Sequence, residues 1–218
     1  MGHGSSRPGV PFRNATACAL RIRGMPLFTR RTVEVAPLPF DPRSPEGLAA
    51  RWVRWVAAAG LDDSPIDDRT GAKGMANQPS DVWFLAGSRG GSVHRRLALP
   101  GGRELFFPVI NWWATGDEAA DIAVALDRVH GSVAVDGVLL EPEPIITREP
   151  FVVTGARFND ITLRTRPRPV VTCGLWRSVE TLAPGEHEVH IVAGDGGDWS
   201  LDVRYQLLVT ASGSTPWS

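Results

Sequence analysis

The residues in this sequence best suited to chemistry are the histidines of Glu186-His187-Glu188-Val189-His190. A His-x-x-His pair flanked by carboxylates has the donor types a divalent metal takes. The stretch around it alternates as a strand, however, and residues three apart on a strand point to opposite faces. His187 then lies with Val189 and Ile191 on an inner face, and Glu186, Glu188 and His190 lie on the outer one. No metal site is expected. Two readings of His187 remain: a buried imidazole hydrogen-bonded to a backbone or carboxylate partner, or a pocket residue exchanging a proton near neutral pH. Under the second reading, Glu104 and Asn111 on an earlier strand are the other candidate catalytic groups, although Arg103 and Glu104 also read as exposed edge charges.

Other reactive patterns are absent. Ser88, Ser92 and Ser178 do not sit in a Gly-x-Ser-x-Gly turn, and Cys173 has no catalytic signature around it. The pairs Gly90-Gly91 and Gly101-Gly102 lack the strand-turn-helix setting and the Gly-Lys-Ser/Thr ending of a phosphate loop, so they read as hairpin turns. Asp62, Asp63, Asp67 and Asp68 crowd one segment without calcium-loop spacing and read as solvated loop acids. No cofactor is expected.

The aromatic composition is skewed, with eight Trp against one Tyr. Most indoles should be core, because each buries a large area. Trp112-Trp113 differs: neighbours on a strand face opposite ways, so one of them must line a cavity, an interface or the surface. Trp83, Trp112, Trp113 and Trp176 are the candidate walls of a binding pocket, with Asn111, Asn77 and Gln78 as uncharged hydrogen-bonding groups at its mouth.

The elements that must position these groups follow from the rest of the chain. It has 218 residues, 23 basic and 24 acidic, a net charge of −1 and 43% apolar content. That composition fits one globular domain, excludes a strong field for nucleic acid, and offers no apolar run long enough for a membrane span. Residues 15–211 read as one β-rich domain between flexible ends at 1–14 and 212–218. Met1 to Phe12 has no apolar signal core, and Cys18 and Cys173 read as buried thiols, so a cytoplasmic protein is expected. Every basic residue but Lys73 is Arg, a coding bias that suggests a GC-rich bacterium.

Strands are expected at Ala15 to Arg23 and Arg31 to Val35. Leu48, Trp52, Trp55, Val56 and Ala59 then share a helical face, with Ser44 as N-cap, Pro45 at the first position and Gly60 at the left-handed end. After a surface loop from Asp62 to Pro79, Val82 to Ala86, Val93 to Leu99 and Arg103 to Ile110 read as an antiparallel meander. Gly116 to His130 reads as a second helix, and Asp136-Gly137 as a two-residue hairpin turn. Phe151 to Val153, Ile161 to Leu163, Val170 to Trp176, His187 to Val192 and Trp199 to Val209 read as strands.

The string Trp83-Phe84-Leu85-Ala86-Gly87, Gly90-Gly91, Leu99-Pro100-Gly101-Gly102 and Leu105 to Asn111 resembles a group of uncharacterised bacterial proteins, often exported. In that group a VWFLAGT-GG segment leads through a VPAGK turn to FFPIIN. Its exported members carry cysteines on either side of the first segment. The matching stretches here, Gly71 to Gly74 and His94 to Leu97, have none, which fits a cytosolic branch. The resemblance implies no particular activity.

Together these readings predict a mainly β protein, an antiparallel sandwich or open barrel with two accessory helices. One functional expectation is a cofactor-independent cyclase or isomerase of bacterial specialised metabolism, holding an apolar intermediate in a Trp-rich pocket. The alternatives are a non-catalytic module for a small ligand or carbohydrate, and a structural protein. The expected partner is a small apolar molecule, with a homodimer possible.

Overall fold

A computed structural model of the protein describes residues 36–115 and 126–211, all within the unit Val35–Ser218. The expected strands at 15–23 and 31–35, Cys18, both chain ends and most of the second helix lie outside the described residues. The described end of that helix differs from expectation: 126–128 form a short 3-10 turn, and His130 already begins a strand.

The first helix, α1 (Pro45–Ala57), forms as its sequence dictates. The Ser44 hydroxyl accepts a hydrogen bond from the Gly47 amide, Pro45 sits in the first turn, and Glu46 faces the positive end. Its end is set by Ala58 in a right-handed conformation. Gly60, with φ of −76°, is not the left-handed terminator and instead leads into a 3-10 turn, Leu61–Asp63. No helix among the described residues is long and apolar enough to cross a membrane.

Among the described residues, ten strands make two five-stranded sheets. One sheet holds β1 (Val82–Phe84), β3 (Glu104–Thr115), β8 (Arg168–Val179) and β6 (Glu143–Ile146), with β7 (Phe151–Val153) also on β8. The other runs β2 (Gly91–Pro100), β10 (Ser200–Thr210), β9 (Gly185–Gly194), β4 (His130–Val135), β5 (Val138–Leu140). The fold is a mainly β sandwich, but its sheets are mixed: β1 is parallel to β3 and β2 to β10.

The expected meander is therefore wrong. β1 and β3 lie side by side in one sheet while β2 belongs to the other, so the turns at Gly87–Gly91 and Pro100–Gly102 are crossings between sheets and not hairpins. The hairpin at Asp136-Gly137 does form, with φ of 50° and 79°. Ile161 to Leu163 is no strand. Asn159 binds the amides of Ile161 and Thr162 at 3.0 and 2.8 Å, and those bonds fold the segment into a turn.

Three layers result. Leu105, Phe107 and Val109 of β3 meet Val93, Val203, Tyr205 and Ile191 in a core between the sheets. Phe106, Phe84 and Trp176 face the other way and pack under Trp52, Trp55 and Val56 of α1. Strand β3 is covered on both faces, which explains its unbroken apolar run from Leu105 to Ile110.

Candidate functional site

Strand β1 stops at Phe84, and the Leu85 amide makes a last bond to the Phe106 carbonyl. The chain then leaves for the other sheet while β3 continues to Thr115. A hollow of about 280 Å³ lies where the layers part. It is bordered by Trp52 of α1, by Gly87 to Arg89, by Pro108 to Trp113 of β3, and by Trp199 and Leu201 at the start of β10. Residues from both faces of β3 border it, as happens when a hollow follows a strand edge.

A bulge in β3 decides which side chains arrive there. The pairing with β8 slips between Pro108 and Ile110, so Val109 is an extra residue, and both Val109 and Ile110 join the core between the sheets. Proline has no amide to give a ladder and is at home at such a slip. Beyond it the parity is reversed. Trp112 packs on the core between the sheets, Trp113 packs on the core under α1, and both remain half-buried at the hollow.

Glycine fits two close approaches around the site. A Cβ on Gly174, which pairs with Asn111, would lie 2.3 Å from the Ile110 carbonyl oxygen and 2.7 Å from the Asn111 Cβ. Gly90, at φ of 121°, lets the Trp199 ring approach to a distance no side chain would allow. The Trp199 indole then donates to the Arg89 carbonyl at 2.8 Å, and the Trp52 indole donates to the Leu85 carbonyl at 2.8 Å.

Arg89 supplies the cation at the rim, yet its charge is spent. Its guanidinium holds Asp67 at 2.6 Å and also pairs with the nearly buried Asp160. Those bonds, with Asp67 foremost, raise its pKa. The Asn111 Nδ2 is shielded from solvent and has no hydrogen-bond partner among the described residues.

The other sequence candidates lie elsewhere, and the catalytic trio does not assemble: Asn111 borders the tryptophan hollow, while Glu104 and His187 line two other cavities. Glu104 begins β3, accepts a hydrogen bond from the Ser178 hydroxyl, and stands 4.0 Å from Arg43. His187 borders an open hollow of about 700 Å³ lined by β2, β9 and β10, with both ring nitrogens occupied, Nδ1 by Asp136 at 2.7 Å and Nε2 by the Ala183 carbonyl at 2.8 Å.

Trp83 and Trp176 are core residues, the latter stacked on Phe106 at 5.3 Å. Asn77 is exposed in a left-handed turn. The Gln78 amide bonds the Gly74 carbonyl and both the amide and carbonyl of Phe84, at 2.7 to 2.8 Å, standing in for a strand beside β1. Cys173 is fully buried, and burial pushes its thiol up to about 11, far from a nucleophile's range.

Sequence reasoning missed Arg95. It occupies an inward position of β2 between Val93 and Leu97, is 2% exposed, and donates to the carbonyls of Ile66, Asp68, Ala86 and Gly87 and to the Tyr205 hydroxyl. These bonds fix two loops, one before β1 that carries Ile66 to the hollow and one after it that carries Arg89. The signal was present in the sequence, as an arginine at a position whose alternation demands an apolar side chain. Asp68 in the loop before β1 is likewise buried, not solvated as the acidic cluster suggested. Its carboxylate accepts from the Thr70 and Lys73 amides at 2.8 Å, and these bonds outweigh the upward push of burial to leave its pKa lowered.

No family model matches the chain, and no curated protein matches it. Among solved structures it is similar to a cysteine protease inhibitor from Entamoeba histolytica, at 7% identity over 60% of this chain and 98% of that one. The TM-score is 0.28, and a likeness so loose carries no argument.

Proposed function

We propose that the protein binds a small, flat, apolar molecule non-covalently in the tryptophan hollow. One observation carries the reading: Trp52, Trp112, Trp113 and Trp199, from three separated elements, border a single hollow of about 280 Å³. Indoles combine large apolar area with faces suited to ring stacking, and a cavity near this size suits a guest of one or two rings. Binding is favoured over the cyclase or isomerase reading because the described residues bordering the hollow include no carboxylate and no imidazole. Among the described residues a guest there meets no carboxylate or imidazole with which to exchange a proton. Cytoplasmic residence is proposed with it, on the sequence argument alone.

The test is a titration of the purified protein with naphthalene, followed by tryptophan fluorescence. Saturable quenching is expected, and Trp112→Ala or Trp113→Ala should weaken it about tenfold or more, since each removes an aromatic wall. Circular dichroism checks that the variants remain folded. Absence of saturable binding, or wild-type affinity in both variants, overturns the proposal.

A further inference from the structure

We infer that the guest presents a neutral amide-type edge, a hydrogen-bond acceptor beside a donor as in a lactam or cyclic imide, and that Asn111 reads that edge. The inference rests on the tryptophan hollow being the binding site. It comes from following the charged and the shielded polar side chains at the hollow to their partners.

The indole N–H groups of Trp52 and Trp199 are taken by the carbonyls of Leu85 and Arg89. The Ser88 hydroxyl accepts from the Gly90 amide at 3.2 Å. The Arg89 guanidinium lies between Asp67 and Asp160, so an anionic guest would have to displace two carboxylates that already hold it. No carboxylate among the described residues borders the hollow to receive a cation. A charged guest therefore finds no free counter-charge, and a neutral one gives up the least hydration.

Among the solvent-shielded polar side-chain atoms of the described residues bordering the hollow, one is left over. The Asn111 Nδ2 is shielded from water and has no hydrogen-bond partner among the described residues. A buried donor left unbonded is a standing penalty that an incoming acceptor removes. The carboxamide places a donor and an acceptor side by side, and a lactam or imide edge meets both at once. Rotating the amide by half a turn leaves the same pair of groups, so the match holds in either orientation. Trp113, two residues along on the same strand, places an aromatic wall at the same hollow, so the planar part of the guest has a surface to lie against.

The experiment titrates the full chain with three ligands of similar size: 2-quinolone, its N-methyl derivative and naphthalene. The N-methyl compound keeps the acceptor and loses the donor, while naphthalene has neither. Wild-type protein should bind 2-quinolone about tenfold tighter or more than either of the others, the scale of a paired hydrogen bond in a shielded site. Asn111→Leu should abolish that preference, and Trp113→Ala should weaken all three. If wild-type protein binds naphthalene as well as 2-quinolone, or if Asn111→Leu retains the preference, the amide edge is overturned while the hollow stands as a binding site. If none of the three binds, the hollow itself is overturned as the site, and this inference with it. The ranking in wild-type protein needs no variant, so a misfolded substitution cannot rescue the inference.

Discussion

His187 is held by two acceptors at once, the Asp136 carboxylate on Nδ1 and the Ala183 carbonyl on Nε2. Neither acceptor can give a proton, so both ring nitrogens donate, which is the imidazolium form. The hydrogen bond to Asp136 raises the His187 pKa above its ordinary 6.5, with the Ala183 carbonyl adding to it. The same bond holds Asp136 below its ordinary 3.8, helped by the Glu188 amide. A residue read from sequence as a candidate proton shuttle is thus a clasp between the β4–β5 hairpin and the approach to β9. Its contribution to stability is fully present below pH 6.5 and fades as pH rises through the raised histidine pKa. The carboxylate's part is present above pH 3.8 and fades as pH falls through the lowered one. Thermal unfolding followed from pH 4 to pH 9 should show midpoints declining on the alkaline side. His187→Ala should flatten that decline, and an unchanged slope in the variant would refute the clasp. The effect will be small, because the Asp136 carboxylate is exposed to water.

At the scale of the element, β3 controls the site through its bulge and its close contact with β8. The bulge at Pro108 and Val109 decides which of the two cores Trp112 and Trp113 each meet, and Gly174 lets the partner strand approach behind Asn111. Gly174→Ala would force the two backbones apart exactly where the hollow lies, since the added carbon overlaps the Ile110 carbonyl. A loss of about 1–3 kcal/mol in urea denaturation is expected, as for other overpacked interiors, together with weaker naphthalene binding. Full stability with unaltered binding would show that the contact is slack. Strand β1 is only three residues long, and Gln78 supplies the bonds a neighbouring strand would have made.

For the molecule as a whole, Arg95 ties the layers together. From β2 it reaches the loop carbonyls of Ile66 and Asp68 and those of Ala86 and Gly87 where the chain leaves β1, while Tyr205 of β10 binds both Arg95 and Ala86. A cation this deep is costly unless every proton finds an acceptor, and here carbonyl dipoles do most of that work. Arg95→Ala would strand several dry carbonyls, so a loss of at least about 3 kcal/mol is expected in chemical denaturation. A loss below 1 kcal/mol would mean that water replaces the guanidinium.

Helix α1 with its cap, the Asp136-Gly137 hairpin and the alternating face of β10 were determined by the sequence itself, because each rests on contacts within a few residues or on a period of two or 3.6. The tertiary structure alone decided that β1 and β3 lie parallel with β2 in the opposite sheet, that a bulge reverses the parity at Asn111, and that His187, Glu104 and Asn111 serve three different places. Strand partners are chosen by packing between distant segments, and period-two patterning looks the same whichever sheet a strand joins. One inserted residue exchanges the faces of all that follow, and only the paired strand reveals it.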